Sequence, residues 1–496
     1  MRKRLYDNLY GFIDFERELF DKVVQDPFFL RLHNIKQMGL AFYVFPDAVH
    51  TRFSHSLGVY SIVNRVLQQR KEHLKPNDID LQKVLLSALL HDIGHLPLSH
   101  TIESALAEFE KRESEEEKHK SKSDFFAESS QNIIETGLEQ TIEKEKPKIA
   151  LHEKLGEEVL KANEKISTYL GQMGIVPLDI SAGFKGDIAS VVKEEQGTGS
   201  FYSNQIRNFL HSQMDADRID YILRDSGFTG VKTGGFDIDK LLNSIFYDTE
   251  TNYGIDQSGI RALEQFLMSR FSALCQIVGN KSVSAFEFMA KELYLSLLDF
   301  KKKGLFDIGI PIHSYRDIIS LLKTKPWEFL SFTDDYFFTL IREVMKQRKR
   351  IQGLNPNIVK YAEMITNVRP LVPVTYCEIF SDFISEEIFI DRLRKDLEFK
   401  SKIAFEAGIT IDEIIIPEQH EFSLFKTKND PIQVYCNGNK MHDNVSECRS
   451  SLLQFIADKE LLINRVYTFD REKAGQLKEV LIKHSAGFKH TGDLLL

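Results

Sequence analysis

The sequence has few cysteines, no long hydrophobic run and no excess of positive charge. Its 496 residues include only four cysteines, and no two of them form a C-x-x-C pair, so neither a disulfide scaffold nor a zinc knuckle is indicated. No stretch approaches 18 consecutive apolar residues, and no apolar run follows the basic N-terminus. We therefore expect no membrane-spanning helix and no secretory signal, and we predict a cytoplasmic protein.

The charge balance is mildly acidic. The chain carries 64 Lys and Arg against 73 Asp and Glu, for a formal net charge of −9. Binding to nucleic acid requires a positive surface, so it is not expected here, although a local basic pocket for a small anion is compatible with this charge. The glycine-rich phosphate-binding motifs and the G-x-S-x-G nucleophile motif are also absent.

Two parts of the sequence differ in pattern. Up to residue 370, apolar residues mostly recur at intervals of three and four, which predicts helices. Beyond it, short runs rich in β-branched and aromatic residues are typical of strands. The predicted strands are 372–380, 385–390, 413–416, 422–425 and 432–436, and the predicted helices among them are 450–459 and 471–483. We expect a mainly α fold, with an all-α core over residues 1–370 and a smaller α+β domain over 371–496 that is a candidate for regulation or oligomerisation.

The first part contains a charged insertion at about residues 105–148. From Glu108 to Asp124, 12 of 17 residues are charged. Such a run is typical of a solvated helix or of a disordered segment. A second interpretation is a mobile flap, because the run lies between two of the stretches described below.

Histidine and aspartate occur together at the end of one apolar helix. The run 84–90 predicts a buried helix, and His91 and Asp92 follow it directly. Polar side chains are costly to bury there unless something pairs with them, and a divalent metal suits imidazole and carboxylate. His91 and His95 are four residues apart, as in the zinc-protease motif H-E-x-x-H. That interpretation is disfavoured, because position 92 is Asp rather than Glu and because a Gly and a Pro interrupt the helix.

A second polar group lies on another predicted helix. Asp217, Tyr221 and Asp225 are four residues apart and therefore share one face. Arg218 and Arg224 lie beside that face. Carboxylates and arginines of this kind are by themselves typical of a helix surface, so a functional interpretation depends on their pairing with the histidines.

The sequence His55, His91-Asp92 and Asp217 resembles the H…HD…D metal signature of the HD-domain phosphohydrolases. The flanking segments are similar to the deoxynucleoside triphosphate (dNTP) triphosphohydrolase branch of that family, which includes members with a sterile-alpha-motif domain. The similar segments are I-K-Q-M-G from residue 35, Y-V-F-P from 43, R-F-S-H-S-L-G-V from 52, H-D-I-G-H…P-L-S-H from 91 and D-A-D-R-I-D-Y from 215. The resemblance covers roughly residues 10–300 and is highly specific as a set.

The resemblance implies one divalent metal ion per site. Its ligands would be His55, His91, Asp92 and Asp217, and Mn, Mg, Fe, Zn and Ni are the candidate metals. In this family, water attacks the α-phosphorus of a dNTP and inorganic triphosphate leaves, which yields a deoxynucleoside. A metal suits this chemistry because it acts as a Lewis acid and lowers the pKa of bound water.

The resemblance also implies the groups that transfer protons. His95 and His100 resemble the histidines that act at the α-phosphate and protonate the leaving 5′ oxygen, and imidazole suits this role because its pKa lies near working pH. His152 and Glu153 resemble a pair in which the His assists at the α-phosphate and the Glu orients it. Glu103 lies where a supporting acid is expected.

The remaining implied residues bind the substrate. Three arginines would bind the phosphates, a role that guanidinium geometry favours: they are Arg52, Arg218 and Arg270. Tyr221 would pack against C2′ of the sugar and leave no room for a ribose hydroxyl. Asp225 and Gln37 would hydrogen-bond the 3′ hydroxyl, and a site built for one hydroxyl discriminates well.

Two departures from the family pattern keep other functions open. Leu96 stands where relatives usually have Gly, and the spacer between His100 and His152 is tens of residues longer than expected. One alternative is an HD phosphohydrolase or phosphodiesterase that acts on another nucleotide or on a nucleic-acid end. The other is a nucleotide sensor that binds without turnover.

The resemblance implies further partners. A homo-oligomer is expected, with a tetramer favoured and a dimer or a hexamer as alternatives. A nucleotide activator is a further implied ligand, although Leu30 and His33 stand where the animal enzyme binds a guanine nucleotide through Gln and Arg. The two candidate biological roles are the balance of nucleotide pools and defence against phage.

Overall fold

The computed structural model describes residues 2–74, 78–128, 150–185, 208–247, 253–304, 308–352, 356–380, 389–425, 431–485 and 494–495. Helices dominate these ranges, and the strands form three small sheets. The predicted fold class, mainly α with a smaller α+β part, is confirmed, although the part predicted to be all-α also contains four short strands in the described ranges. No helix within the described ranges is long and apolar enough to cross a bilayer.

The helices before residue 370 form most of the fold. They are α1 (Arg17–Leu19), α2 (Pro27–Leu30), α3 (Arg52–Leu74), α4 (Asp78–Leu90), α5 (His100–Glu128), α6 (Leu151–Ala162), α7 (Glu164–Gln172), α8 (Pro177–Lys185), α9 (Ala216–Thr229), α10 (Ile238–Ser244), α11 (Ile260–Ala273), α12 (Lys281–Lys302), α13 (Tyr315–Thr324), α14 (Pro326–Phe329), α15 (Asp334–Lys346), α16 (Arg348–Gln352) and α17 (Pro356–Thr366). After residue 370 come α18 (Phe389–Lys395), α19 (Leu397–Glu406), α20 (Leu453–Ile456) and α21 (Arg471–Ser485).

Ten short strands complete the described secondary structure. They are β1 (Arg2–Asp7), β2 (Gly11–Glu16), β3 (Ile245–Tyr247), β4 (Tyr253–Asp256), β5 (Val372–Phe380), β6 (His420–Ser423), β7 (Gln433–Cys436), β8 (Asn439–His442), β9 (Glu460–Thr468) and β10 (Leu494–Leu495). The first two form a hairpin, and the others form sheets of order β10-β5-β9-β6 and β3-β4-β7-β8.

Local sequence signals explain where the helices near the site begin and end. The side chain of Asp215 caps α9 by accepting the backbone N–H of Arg218 at 2.8 Å. The same helix ends before Gly230, which takes the left-handed conformation at φ 71°. Asn280 caps α12 in the same way, through the N–H of Ser282. These caps fix the ends of two helices that line the candidate site.

One sheet includes strands from both sides of residue 370. Strand β4 pairs in parallel with β7, with Ile255 opposite Val434, and β3 and β8 pair antiparallel on the outside. Phe425 is also buried in the same apolar core as the helices of the first part. Backbone pairing therefore crosses the predicted domain boundary, and the division into 1–370 and 371–496 stays a prediction.

Several predicted elements after residue 370 differ from the structure. Residues 385–388 of the predicted strand 385–390 lie outside the described residues, and Phe389 begins a helix instead. The predicted strand 413–416 is a 3₁₀ turn followed by one bridge, between Ile415 and Tyr467. The predicted helix 450–459 is the single turn α20, and β9 follows it. Strand β9 was missed because it is central in its sheet and largely buried, so it shows no alternation of apolar and polar residues.

The charged run begins as an ordinary helix. It lies on α5, where Glu108 pairs with Lys291 of α12 at 2.8 Å and Glu116 pairs with Lys302 at 2.8 Å. The plainer of the two interpretations, a charged solvated helix, therefore holds for this stretch. The rest of the insertion, residues 129–149, lies outside the described residues.

Candidate active site

Four side chains converge where α3, α9 and the end of α4 meet. His55 lies on α3, His91 and Asp92 directly follow α4, and Asp217 lies in the first turn of α9. The ligand atoms of His55, His91 and Asp92 lie within 4.8 Å of one another, and Asp217 Oδ1 lies 2.9 Å from His55 Nε2. Two imidazoles and two carboxylates form a donor set that suits a borderline divalent metal. The cluster can therefore hold such an ion.

In both His55 and His91, the ring nitrogen that points away from the metal cluster, Nδ1, is hydrogen-bonded. His91 Nδ1 lies 2.9 Å from the carbonyl oxygen of Ala88, and His55 Nδ1 lies 2.7 Å from Asp220 Oδ2. A nitrogen that faces an oxygen acceptor carries the proton, which leaves Nε2 of each ring as the metal ligand. Burial lowers the pKa of His55, but hydrogen bonds to Asp217 and Asp220 outweigh burial and raise the pKa to about 10. The cluster therefore favours positive charge, as a metal site does.

A chain of buried ion pairs lies behind His55. Arg224 donates two hydrogen bonds to Asp220, from Nε and Nη2, each 2.9 Å long. Its Nη1 donates to Asp7 of β1 at 2.9 Å. Gly58 on α3 makes room for this arrangement, since a Cβ there would overlap Oδ1 of Asp220. The orientation of one candidate metal ligand is thus set by a network that extends to the N-terminal strand.

Asp92 joins the metal cluster to two further groups. Its Oδ2 accepts from Arg52 Nη1 at 2.9 Å, and its Oδ1 lies 3.1 Å from His95 Nε2. Burial tends to raise the pKa of Asp92, but Arg52 and the imidazoles hold it well below its ordinary value. Burial lowers the pKa of His95, which favours the neutral ring. Its Nδ1 is buried and has no hydrogen-bond partner in the part of the chain that the structure describes.

Glu103 holds two further imidazoles. Its Oε2 lies 3.0 Å from His100 Nδ1, and its Oε1 lies 2.9 Å from His152 Nδ1. The ring of His152 stacks on that of His95 at 4.1 Å between centroids. Burial lowers the pKa of His152, but the hydrogen bond and the charge of Glu103 raise it overall. Glu103 therefore favours the protonated form of His152 and fixes the orientation of both rings.

Glu153, which the sequence pairs with His152, makes a different contact. Its carboxylate accepts the backbone N–H of Ala150 at 3.1 Å and so caps α6. Glu103 accepts both the ring N–H and the backbone N–H of His152, the latter at 3.1 Å. The orienting role expected of Glu153 is thus filled by Glu103, because free amides at a helix N-terminus attract a carboxylate in the first turn.

A cavity of about 870 Å³ brings the predicted site residues together. Its wall includes all of them except His55, Glu103 and Arg270. His55 is fully buried beside the other metal-cluster residues, and Glu103 is bonded to two imidazoles that line the cavity. The volume falls within the range of nucleotide-sized ligand pockets.

The three predicted phosphate-binding arginines are placed differently. Arg52 and Arg218 line the cavity. Arg218 is held by Asp215, its helix-capping neighbour. Arg270 does not line the cavity, and its buried Nε has no partner among the described residues. Tyr221 lines the wall beside them, and burial raises its pKa.

His50 is a site residue to which the sequence assigned no role. Its Nε2 lies 2.7 Å from Asp225 Oδ1, and its carbonyl oxygen accepts the N–H of Gln37 at 3.0 Å. Its ring packs beside Phe228. His50 therefore links the two residues expected at the 3′ hydroxyl. It lies in the stretch that leads to His55, but nothing in a single sequence marks it as a partner of Asp225.

Leu96 does not shape the cavity. Its side chain is fully buried in the apolar core and is not part of the cavity wall. The cavity is also lined by residues of α12, by residues 416–418 and by His420. There Lys291 pairs with Glu108 at 2.8 Å and with Glu418 at 3.0 Å. Residues after 370 thus supply part of the wall.

Residues 52–224 match the family model of the HD domain. The uncharacterized protein YwfO of Bacillus subtilis is 28% identical over 290 residues, which are 58% of this chain and 54% of that protein. The chain thus spans about half the length of that relative. The deoxynucleoside triphosphate triphosphohydrolase SAMHD1 of Bos taurus is 40% identical over 101 residues, which are 20% of this chain and 17% of that protein.

The fold also resembles a solved structure. The crystal structure of a phosphohydrolase from Bacteroides thetaiotaomicron matches with a TM-score of 0.62 at 21% identity, over 94% of this chain and 100% of that chain. A likeness at this identity concerns the fold alone. The histidine–aspartate cluster lies within the segment that matches the HD-domain family model.

Proposed function

We propose that this HD-domain protein hydrolyses deoxynucleoside triphosphates to a deoxynucleoside and inorganic triphosphate. The observation that carries the proposal is a single cavity that joins a metal-binding cluster, three imidazoles, two arginines and the Tyr221–Asp225 pair. The partial similarity to SAMHD1, whose name describes this reaction, supports the choice of substrate. The cavity brings together candidate residues for metal binding, for proton donation and for contact with the sugar.

The proposal assigns the metal to His55, His91, Asp92 and Asp217. When bound there, a divalent ion supplies Lewis acidity to a phosphoryl oxygen and lowers the pKa of water. The residues themselves keep two Nε2 atoms and two carboxylates turned towards one point. Mn and Mg are the first ions to test, and Fe, Zn and Ni follow.

The imidazoles are suited to the proton transfers. Glu103 binds Nδ1 of both His152 and His100, which leaves Nε2 of each ring for the substrate; Nε2 of His100 also lies 3.4 Å from Arg52 Nη2. The raised pKa of His152 favours the protonated ring, which would donate a charge-assisted hydrogen bond to the α-phosphate. When water attacks the α-phosphorus, the bond to the 5′ oxygen breaks and that oxygen takes a proton from His100. Neutral His95 keeps Asp92 in place.

The opposite part of the wall suits a deoxyribose. Asp225 has one oxygen bound to His50, which leaves the other to accept the 3′ hydroxyl. Tyr221 lies one helical turn earlier on α9 and occupies the space beside C2′ in this proposal. Leu96 lies in the core and not in the cavity wall. Its presence is therefore no argument for a substrate other than a dNTP.

Product analysis tests the proposal. The purified protein is incubated with Mn²⁺ or Mg²⁺ and with each of the four dNTPs, singly and in mixtures, and the products are separated by ion-exchange chromatography. His91→Ala, which removes one ligand, is the matched inactive control. We expect deoxynucleoside and intact triphosphate from the wild type and neither from the variant.

Other outcomes would contradict parts of the proposal. Release of phosphate or pyrophosphate would show an active metal site with a different bond broken. Activity in mixtures alone would indicate a nucleotide activator, and light scattering of the same samples would show whether an oligomer forms with it. No turnover in any mixture, with metal bound, would favour a nucleotide sensor.

A further inference from the structure

A buried carboxylate far from the metal cluster holds two segments of the cavity wall together. Asp334 is the first residue of α15 and is 2% exposed. Its Oδ1 accepts the backbone N–H of Leu98 at 2.8 Å, and its Oδ2 accepts that of Lys36 at 3.0 Å. Asp334 lies 110 residues beyond the end of the segment that matches the HD model.

Each of these amides belongs to a segment with a proposed role in the reaction. Leu98 lies in the turn between His95 and His100, and Lys36 directly precedes Gln37. In that turn, Leu98 and Ser99 both adopt φ 53°, a left-handed conformation that non-glycine residues avoid. Such a conformation persists only when its surroundings hold it in place.

The surrounding contacts fix the same turn from several sides. Ser99 Oγ donates to the carbonyl oxygen of Lys36 at 2.8 Å and accepts from Arg52 Nε at 3.0 Å. The buried Arg31 donates to the carbonyl oxygen of His95 at 2.7 Å and to that of Phe332 at 2.8 Å. Asp334 differs from these groups because its one carboxylate accepts a backbone N–H from the turn and another from the Lys36 segment; its Oδ2 also lies 3.5 Å from Lys36 Nζ.

We infer that Asp334 is a positioning residue that aligns His100, the proposed acid, with Gln37, the proposed sugar contact. This inference rests on the proposed function. Asp334 reaches neither the metal cluster nor the cavity in the described structure. Its effect would therefore be on the geometry of the turn and not on metal binding.

The test compares Asp334→Asn with Asp335→Asn, which changes the exposed neighbour on the same helix. Asn keeps one acceptor and loses the other. We expect one metal ion per chain in both variants. In Asp334→Asn, kcat for dNTP hydrolysis should fall by about 10–100-fold, because a small misplacement of a reacting group has effects of that size. Hydrogen exchange at the Leu98 and Lys36 amides should be faster in that variant alone.

The outcomes separate this inference from the proposed function. A lower melting temperature with unchanged kcat and unchanged amide exchange would overturn the inference, because Asp334 would then serve stability alone. If the wild type hydrolyses no dNTP, the proposed function fails, and exchange at the two amides still decides whether Asp334 holds the segments. Asp334→Ala, which removes both acceptors, should give the larger increase in exchange if it folds.

Discussion

The two groups of imidazoles in the cavity are held in different ways. At the metal cluster, His55 and His91 each have Nδ1 bonded to a fixed oxygen, and His55 is fully buried. At the proton-transfer group, His95 has an unpartnered Nδ1 within the described structure, and the His100 side chain is 66% exposed. In the first group, Nδ1 of each ring is thus fixed by an oxygen acceptor, whereas in the second group His95 lacks a partner at Nδ1 and His100 Nε2 faces Arg52 Nη2 at 3.4 Å.

This difference matches the chemistry proposed for each group. A metal ligand must keep one lone pair aimed at one point, so it benefits from a fixed opposite nitrogen. A proton-transfer group must gain and lose a proton, so it needs one nitrogen that reaches the substrate. The two groups also differ in the carboxylate behind them. Asp220 is hydrogen-bonded to one imidazole, that of His55, whereas Glu103 is hydrogen-bonded to two.

The largest effect should come from Glu103→Gln. Its amide can accept from only one of the two imidazoles and no longer favours protonated His152. We expect kcat to fall by about 10²–10⁴-fold, the usual contribution of general acid–base catalysis, with metal content unchanged. Steady-state kinetics and metal analysis check this, with Glu113→Gln on the same helix as control. A loss of metal would show that the two groups are not separate.

Asp220→Asn should affect the metal cluster instead. The change removes the charge that holds His55 Nδ1. We expect metal affinity to fall by about 10–100-fold, as is usual when the acid behind a metal-ligating His is changed. Competition with a chelator measures it. Asp239→Asn, which breaks the exposed pair with Arg65, is the control and should leave affinity unchanged. Equal affinities in the two variants would contradict the comparison.

Gly58→Ala should weaken the same network by crowding. A Cβ there would overlap Asp220 Oδ1 and lie 2.6 Å from Arg224 Nη2. We expect the free energy of unfolding to fall by about 1–3 kcal/mol, as in other overpacked sites. Gly171→Ala on α7 is the matched control, since nothing lies within 4 Å of its added Cβ. It should stabilise by about 0.5–1 kcal/mol. Denaturant unfolding distinguishes the two.

The smallest effect concerns a carboxyl group on the cavity wall. Burial raises the pKa of Glu287 from its ordinary value of 4.5 to about 7. The folded state thus favours the neutral form, and its stability falls as pH rises from about 5 through 7. Glu287→Gln removes the ionisable group. The melting temperature of the variant should therefore rise relative to that of the wild type as pH increases from 5 to 8. The control Glu398→Gln, at an exposed position, should show no such gain. A difference in melting temperature between Glu287→Gln and the wild type that stays constant with pH would contradict the raised pKa.

The local parts of the site were predictable from the sequence. Asp217, Tyr221 and Asp225 recur at one helical face, and all three line the cavity. His91 and Asp92 directly follow α4, as the apolar run before them predicts. Helical periodicity and adjacency in sequence suffice for such residues, because their positions follow from one element.

Residues that act through distant contacts could not be found in this way. Asp220 lies within the same motif but on the buried side of α9, where its partner comes from α3. Asp334 acts on residues more than 200 positions earlier. Strand β9 lacks the alternation of apolar and polar residues because residues on both of its faces are buried, including Asn464 and Arg465. In each case tertiary packing, and not local propensity, determines the role.

The pairing of β4 with β7 has a consequence for how the protein is made. The two strands are about 180 residues apart in the chain, and Asp7 pairs with Arg224, which lies 217 residues later. As the ribosome extends the chain, the four proposed metal ligands emerge well before the part of the cavity wall at residues 416–420. A nascent chain can therefore assemble its histidine–aspartate cluster early, whereas the described cavity wall is assembled only after residue 420 has been added.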